Sequence, residues 1–241
     1  MKIMLFGYGK MGHMLEDCIS GQKAMSLVKT IDGTDFNSLK FLGKIADVAI
    51  DFSSPSTLPA IAEYVERTKT PLVSGTTGYS AQELLTLKKL GGSAPVLFSA
   101  NYSLGIAVLS KALRIVSESL SHFDIELVET HHNQKADAPS GTARRLIDAI
   151  DPEGTRELVY GREGLSAKRN SGEIGVHAIR GGTVAGEHSV KFFGNDEILE
   201  LTHKASSRKI FAEGALSAAV KLASKSCGYY TLEELLFGKE N

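Results

Sequence analysis

Two histidines and a lysine within five residues form the part of this sequence best suited to proton transfer. They are His131, His132 and Lys135, in the segment ETHHNQKADAPSGT over residues 129–142. An imidazole with an ordinary pKa of about 6.5 can gain or lose a proton near neutral pH, and a lysine can donate one. The segment therefore predicts acid–base chemistry with His131 and Lys135 as the catalytic residues.

The end of the same segment predicts a binding site for an anion. Ser140 has the residue type of a helix N-cap, so the backbone N–H groups of Gly141 and Thr142 would open the helix. Exposed N–H groups at a helix start bind carboxylates. An anionic substrate suits such a site, and its predicted binding residues are His132, Ser140, Gly141 and Thr142.

Two other interpretations of residues 129–142 remain open. Adjacent histidines can be metal ligands, but no third ligand stands at a short spacing, so no metal is predicted. The histidines can also belong to a polar loop in which they merely pack or face water. Two histidines, a lysine and a helix start in one segment favour the catalytic interpretation over that loop.

A glycine motif near the beginning of the chain predicts a dinucleotide site. Residues 7–12 read GYGKMG and match G-x-G-x-x-G, directly after an apolar run over residues 1–6. In dinucleotide-binding proteins these glycines give a tight turn, close approach to the pyrophosphate and close helix–strand contact. The expected cofactor is NADH or NADPH. The predicted contacts in the turn are Gly7, Tyr8, Gly9, Lys10, Met11 and Gly12.

An acidic residue about twenty positions after such a turn can bind the adenosine ribose hydroxyls. Asp32 stands there, at the end of the second predicted strand, and Lys29 is near enough to meet a 2′-phosphate. The alternative is a glycine turn in another kind of α/β fold, with Asp32 merely solvated. The choice between the two nucleotides stays open.

Small polar residues follow three further predicted strands, at residues 51–54, 74–78 and 99–102. In open α/β sheets, ligands bind beyond the carboxyl ends of the strands. Ordinary turn and N-cap chemistry explains Ser53, Ser54 and Ser56 equally well. For residues 74–78 we favour contact with the cofactor or the substrate, through Gly75, Thr76 and Thr77. The end at residues 99–102 can line the same nicotinamide–ribose crevice, through Ser99, Ala100, Asn101 and Tyr102.

The elements that must position these residues change character along the chain. Strand-like runs over 1–6, 26–31, 46–52, 71–74 and 95–99 alternate with helical patterns over 10–19, 56–67 and 81–90. This alternation predicts an N-terminal α/β domain, a Rossmann-type doubly wound parallel sheet. Beyond it we predict an α+β domain with a mixed or antiparallel sheet. The predicted segments after residue 103 are a helix over 104–120, a strand over 123–130, a helix over 142–150, a long loop over 151–171, three strands within 174–204 and a final helix over 210–225.

Composition excludes several classes of protein. The formal net charge is −1 without blocks of like charge, so neither nucleic acid nor a membrane surface is an expected partner. Two distant cysteines argue against a disulfide framework and for a reducing compartment. The sequence has no signal-peptide pattern and no apolar run long enough to span a bilayer. A cytoplasmic globular protein is expected.

The segment HHNQKADAPSGTA over residues 131–143 resembles the signature of the dihydrodipicolinate reductase family. The resemblance extends to the glycine turn, VAIDFSSPS from Val48, SGTTG from Ser74, SANYSLG from Ser99, GEH from Gly186 and ELTHKASSR from Glu200. It implies reduction of 4-hydroxy-tetrahydrodipicolinate, a cyclic product of aspartate semialdehyde and pyruvate, to tetrahydrodipicolinate on the route to diaminopimelate and lysine.

The resemblance also implies roles for individual residues. His131 matches a proton donor or acceptor, Lys135 a proton donor, and His132, Gly141 and Thr142 substrate-binding positions. The implied substrate is a small dicarboxylate, and the implied assembly is a homotetramer formed through the sheets of the second domain. The implied domains are residues 1–102 with 208–241 for the dinucleotide, and 103–207 for substrate and oligomerisation.

The chain departs from the family pattern around the nucleotide. Many members have one more residue in the glycine turn, an Arg where Lys10 stands and an acidic–Arg pair where Asp32 is followed by Gly33. Two other functions remain as alternatives: another NAD(P)-dependent dehydrogenase of aspartate-semialdehyde metabolism, or a non-catalytic dinucleotide-sensing protein. Neither explains the histidine–lysine segment as well.

Overall fold

The computed structural model describes residues 1–165 and 168–238, and the chain forms two compact units. Unit 1 consists of residues 1–103 together with the residues from 209 onward, and unit 2 consists of residues 104–208. The polypeptide therefore leaves unit 1 after residue 103 and returns to it at residue 209.

The first part of unit 1 alternates strands with helices. In chain order the elements are β1 (Lys2–Phe6), α1 (Lys10–Ser20), β2 (Ser26–Ile31), a 3₁₀-helix (Gly33–Phe41), β3 (Val48–Asp51), a 3₁₀-turn (Pro55–Thr57), α2 (Leu58–Thr68), β4 (Leu72–Ser74), α3 (Ala81–Leu90) and β5 (Pro95–Phe98). Unit 2 follows with α4 (Leu104–Ser119), β6 (Asp124–His131), α5 (Gly141–Ile150), β7 (Glu157–Val159), β8 (Glu173–Arg180), β9 (Gly186–Phe193) and β10 (Ile198–Ala205). The return to unit 1 adds α6 (Lys209–Leu222), β11 (Gly228–Tyr230) and α7 (Leu232–Phe237).

The sheet of unit 1 is parallel throughout, in the order β11-β5-β4-β3-β1-β2. Its central strands are almost continuously apolar: β1 buries Ile3 to Phe6, and β3 is fully buried. Such runs are typical of a sheet covered on both faces, since helices then exclude water from every side chain. Each buried aliphatic side chain contributes roughly 1.5–3 kcal/mol to the stability of this arrangement.

The sheet of unit 2 is mixed, in the order β10-β9-β6-β8-β7. Its central strand β6 runs parallel to β8 and antiparallel to β9. Side chains along β6 alternate between buried and half-buried, because α4 and α5 cover one face of the sheet. Ile125 and Leu127 join the apolar core on that face, and Glu129 and His131 continue the same face to the strand end.

These two sheets confirm the predicted Rossmann-type domain and the predicted α+β domain with a mixed sheet. The prediction is wrong where β7 interrupts the expected loop over 151–171, of which residues 166 and 167 lie outside the described residues. It also misses β11, α7 and the 3₁₀-helix after β2. β7 and β11 have three half-exposed or exposed residues each, too few for a periodic pattern.

Among residues 1–165 and 168–238, none of the helices combines the length and the apolar character needed to cross a membrane.

Candidate active site

The glycine turn after β1 is built so that side chains at two of its positions would collide with backbone. Gly7 has φ +87°, and a Cβ there would lie 2.5 Å from the carbonyl oxygen of Phe52. A Cβ on Gly12 would lie 2.5 Å from the carbonyl oxygen of Gly7. These glycines let the turn, the start of α1 and the end of β3 approach each other closely.

The start of α1 leaves room for a ligand. Gly9 is the N-cap, no side chain caps the helix, and a Cβ at Gly9 would have no atom within 4 Å. The first N–H groups of a helix need partners from outside it, and an uncapped start with open space suits a pyrophosphate. The residues present therefore fit a dinucleotide. Tyr8 lies along the helix instead, where its hydroxyl donates to Glu16 and its ring contacts His13 at a centroid distance of 4.0 Å.

Asp32 lies beside this turn. It directly follows β2, its side chain is exposed, and it makes no capping bond to the 3₁₀-helix it precedes. The N–H of Gly7 donates to the carbonyl oxygen of Ile31 over 2.9 Å, which fixes the end of β2 next to the glycine turn. An exposed carboxylate at this position can accept hydrogen bonds from ribose hydroxyls.

A buried carboxylate organises the ends of β3 and β4. Asp51 is 0% exposed, and its two oxygens accept five hydrogen bonds. The donors are the N–H of Ser53 at 3.0 Å, Ser53 Oγ at 2.5 Å, Ser74 Oγ at 2.8 Å, Thr76 Oγ1 at 2.9 Å and the Tyr79 hydroxyl at 3.0 Å. Thr76 Oγ1 also accepts from the Ser53 N–H at 3.0 Å. Asp51 stands at a predicted strand end, and no role was predicted for it from the sequence.

The predicted cofactor residues after β4 and β5 differ in exposure. Thr77 and Ala100 are exposed, whereas Thr76 and Tyr102 are buried. The Tyr102 hydroxyl donates to the carbonyl oxygen of Ser74 over 2.8 Å, so its side chain joins the two strand ends. Hydrogen bonds within the loop over 99–103 hold it closed. Ser99 Oγ donates to the carbonyl oxygen of Asn101, and Asn101 Oδ1 accepts from the N–H of Ser103.

In unit 2, a second buried carboxylate holds the first predicted catalytic residue. Glu129 is 0% exposed, and its Oε2 lies 2.5 Å from Nδ1 of His131. Arg180, which lies opposite His131 on β8, donates to both Glu129 oxygens at 2.9 and 2.8 Å. The N–H of Ser140 completes the set at 3.1 Å.

These contacts set the charges of the pair. Burial opposes ionisation of Glu129, but hydrogen bonds from Arg180, His131 and Ser140 outweigh it and hold its pKa below the ordinary value. Burial lowers the pKa of His131, although Glu129 opposes this shift. An ionised Glu129 with a neutral His131 requires the imidazole proton on Nδ1, which leaves Nε2 as the proton acceptor.

Glycine at position 186 leaves space beside that nitrogen. A Cβ on Gly186 would lie 3.0 Å from Nε2 of His131, closer than most side-chain contacts allow. His188 follows Gly186 by two residues on β9 and lies opposite Glu129. The ring centroids of His188 and His131 are 5.1 Å apart. Nε2 of His188 lies 3.1 Å from Ser140 Oγ, and burial lowers the pKa of His188 to about 4. His188 is therefore neutral near pH 7. The GEH motif of the family resemblance contains His188, and no role was predicted for this histidine.

Ser140 is the N-cap of α5, as predicted: its Oγ accepts from the N–H of Ala143 over 3.1 Å. The loop before α5 already contains a bound carboxylate, that of Asp137. Lys135 Nζ donates to Asp137 Oδ1 over 2.7 Å, and this bond, with the N–H of Gly141 assisting, lowers the pKa of Asp137. The ammonium group and the helix start therefore form a place where a carboxylate is stable.

Arg208 places a cation beside His132 in unit 2. Its Nη2 lies 3.3 Å from Nε2 of His132, and no role was predicted for Arg208 from the sequence. His132 is half-buried and Arg208 is exposed. The motif ELTHKASSR contained Arg208, but only the fold shows that it reaches His132.

A nucleotide-binding parallel sheet and an acid–base constellation in one chain define an NAD(P)H-dependent oxidoreductase. Family models described as the N-terminus and the C-terminus of dihydrodipicolinate reductase match residues 1–102 and 105–236. The chain belongs to the dihydrodipicolinate reductase family.

Two curated relatives match the sequence over nearly the whole length of this chain. A 4-hydroxy-tetrahydrodipicolinate reductase of Exiguobacterium sibiricum is 43% identical over 98% of this chain and 96% of its own length. The protein of that name from Staphylococcus saprophyticus is 44% identical over 98% of this chain and 100% of its own.

Two solved structures share the fold. One is a dipicolinate-bound dihydrodipicolinate reductase from Paenisporosarcina sp. TG-14, with a TM-score of 0.78 at 20% identity over 98% of both chains. The other is a myo-inositol dehydrogenase from Corynebacterium glutamicum, with a TM-score of 0.61 at 17% identity over 99% of this chain and 93% of its own.

Proposed function

We propose that this chain catalyses the NAD(P)H-dependent reduction of 4-hydroxy-tetrahydrodipicolinate to tetrahydrodipicolinate, in the diaminopimelate route of lysine biosynthesis. One observation carries the proposal beyond family membership. The loop that follows His131 holds a carboxylate, that of Asp137, between Lys135 Nζ and the start of α5. A substrate with two carboxylates can replace this internal one.

The overall reaction needs one hydride and one proton, and the hydroxyl of the substrate leaves as water. Bound NAD(P)H supplies the hydride. Lys135 supplies the proton and, by its charge, attracts a substrate carboxylate. His131 exchanges protons through Nε2, because Glu129 occupies its Nδ1. Arg208, whose Nη2 lies 3.3 Å from Nε2 of His132, adds positive charge that suits a second carboxylate.

On unit 1, the glycine turn holds the pyrophosphate at the uncapped start of α1. Asp32 accepts hydrogen bonds from the adenosine ribose and disfavours a 2′-phosphate at the same place, since both are anionic. The loops over 75–77 and 99–102 contact the nicotinamide half. NADH is therefore the better substrate of the two nucleotides in this proposal.

The family resemblance supports a homotetramer assembled through the sheet of unit 2. Light scattering of the purified protein during size-exclusion chromatography tests this assembly. A monomer at micromolar concentration would contradict it.

A coupled assay tests the activity. The substrate is generated from pyruvate and aspartate semialdehyde by the preceding synthase, and the loss of NADH or NADPH absorbance is followed. We expect oxidation only when synthase, pyruvate and semialdehyde are all present. Oxidation with semialdehyde alone would indicate a different dehydrogenase of that metabolism. Nucleotide binding without any oxidation would indicate a sensing protein, and either result rejects the proposal.

A further inference from the structure

The carboxylate of Asp51 accepts five hydrogen bonds, and the proposed reaction gives it no role. Three of its donors bond to Oδ2, and two bond to Oδ1. Within residues 1–165 and 168–238, every one of these donors is neutral: one backbone N–H and four hydroxyl groups. Asp51 is thus a buried negative charge balanced by dipoles and not by a cation.

The position of Asp51 in the sheet connects it with the nucleotide. The chain proceeds from β1 outward to β2 and then places β3 on the other side of β1, so the strand order reverses between β1 and β3. Ligands of open α/β sheets bind at this reversal, beyond the carboxyl ends. Asp51 is the last residue of β3 and pairs with Phe6, the last residue of β1 before the glycine turn.

The hydrogen bonds of Asp51 join two loops at this edge. Ser53, in the loop after β3, and Thr76, in the loop after β4, both donate to it, and Thr76 accepts from the Ser53 N–H. Burial, and after it the charge of Asp51, raises the pKa of Tyr79 far above its ordinary value, so Tyr79 remains a donor. Each of these hydroxyl groups donates its hydrogen to Asp51. Any ligand atom that reaches the hydroxyl oxygens must therefore be a donor, such as a carboxamide or ribose group, and not a phosphate.

We propose that Asp51 positions the loops after β3 and β4 for the nicotinamide half of the nucleotide and favours its oxidised, cationic form. This proposal rests on the proposed function for the kind of nucleotide involved. The charge acts because hydride loss leaves the nicotinamide ring positive, and a carboxylate buried at that edge attracts a positive ring more than a neutral one.

Binding of the two nucleotide forms to the purified protein tests the proposal without substrate. Dissociation constants for NADH and NAD⁺ are measured by titration for the wild type and for Asp51→Asn, which keeps the shape and removes the charge. We expect weaker binding of both forms and a loss for NAD⁺ that exceeds the loss for NADH by roughly three- to tenfold. Equal losses would overturn the charge effect.

Asp47→Asn is the matched control, because this substitution removes the same charge just before β3, at the opposite end of the strand from Asp51, where the Asp47 carboxylate accepts a hydrogen bond from the N–H of Lys2. Asp47→Asn should leave the dissociation constants for NADH and NAD⁺ within about twofold of the wild-type values. A shift in their ratio equal to that of Asp51→Asn would overturn the proposal.

Thr76→Val tests the positioning separately and remains informative if Asp51→Asn does not fold. This variant keeps the charge of Asp51 and removes the hydroxyl that joins Asp51 to the Ser53 N–H. Both dissociation constants should rise by a similar factor, about three- to tenfold, with their ratio unchanged. Unaltered constants would overturn the positioning role. Since no substrate is present, these results do not depend on which compound the chain reduces.

Discussion

His131 Nδ1 and Glu129 Oε2 lie 2.5 Å apart at the carboxyl end of β6, with both side chains buried. The carboxylate is in turn held by both terminal nitrogens of Arg180. A histidine fixed in this way has one tautomer and one orientation, so its other nitrogen is held in a reproducible position.

Glu129→Gln should lower kcat by about 10²-fold or more, because the neutral amide no longer fixes the proton on Nδ1 of His131. Glu129→Gln should also lower the free energy of unfolding by about 3 kcal/mol, since Arg180 loses a charged partner. Steady-state rates and urea unfolding measure the two effects. Glu126→Gln is the control: Glu126 lies on the same strand and pairs with His177 at 2.7 Å on the other face. A similar fall in kcat in that variant would remove the special role of Glu129.

Lys135→Ala should lower kcat by about 10²- to 10⁴-fold, because the proton donor is lost. The dissociation constant for NADH should stay within about twofold, since Lys135 belongs to unit 2 and the glycine turn to unit 1. The control is Lys204→Ala, which removes an exposed lysine of β10 paired with Glu187. A parallel loss of NADH binding in Lys135→Ala would show that Lys135 has a different role.

Gly186→Ala should lower kcat/KM by about 10²-fold, because its methyl group would lie 3.0 Å from Nε2 of His131 and displace the ring or the substrate. Gly172→Ala is the control for a methyl group added at a glycine with positive φ: Gly172 has φ +83° and Gly186 has φ +155°, but a Cβ at Gly172 would have no atom within 4 Å. Rates and circular dichroism of both variants separate strain from obstruction. If both lose activity equally, access to His131 is not the cause.

Asp32→Ala should raise the KM for NADH about tenfold, since a hydrogen bond to a charged group contributes roughly 1.5–3 kcal/mol. The KM for NADPH should change less, because the substitution also removes repulsion of the 2′-phosphate. Asp35→Ala, three residues further in the 3₁₀-helix, serves as the charge control. An unchanged ratio of the two KM values would exclude Asp32 from the ribose site.

Stability should fall as the pH falls from about 6.5 to 4, in part because His188 is buried and neutral. Its pKa of about 4 in the folded chain lies below that of an unfolded histidine, so the unfolded state binds the proton first. This difference corresponds to about 3 kcal/mol. Urea unfolding of His188→Gln at several pH values should lack this component, and His122→Gln, at an exposed histidine, should retain it. Equal pH dependence in all three proteins would contradict the assignment.

The sequence predicts what depends on neighbouring residues. The glycine turn, the apolar strands and the N-cap at Ser140 follow from local spacing, and the structure contains all of them. The histidine–lysine segment was found for the same reason, because its residues are adjacent in the chain.

The partners of these residues depend on sheet register, which spacing does not encode. Arg180 reaches Glu129 only because β8 lies parallel to β6, and His188 faces Glu129 only because β9 lies antiparallel to it. The donors of Asp51 likewise come from two strand ends. Buried acids such as Asp51 and Glu129 look in sequence like ordinary polar residues at the end of a strand.

The return of the chain to unit 1 imposes an order on synthesis. β11 pairs with β5, and a Cβ at Gly214 of α6 would lie 1.8 Å from the carbonyl oxygen of Tyr102, so both late elements fit closely onto early ones. All strands of unit 2 leave the ribosome before either of them. Synthesis proceeds at roughly 5–20 residues per second, so about ten seconds pass between the synthesis of β5 and that of β11. Until then, the edge of β5 that pairs with β11 has no partner. Because an unpaired strand edge can pair with another chain, we expect the nascent chain to be prone to aggregation during that interval.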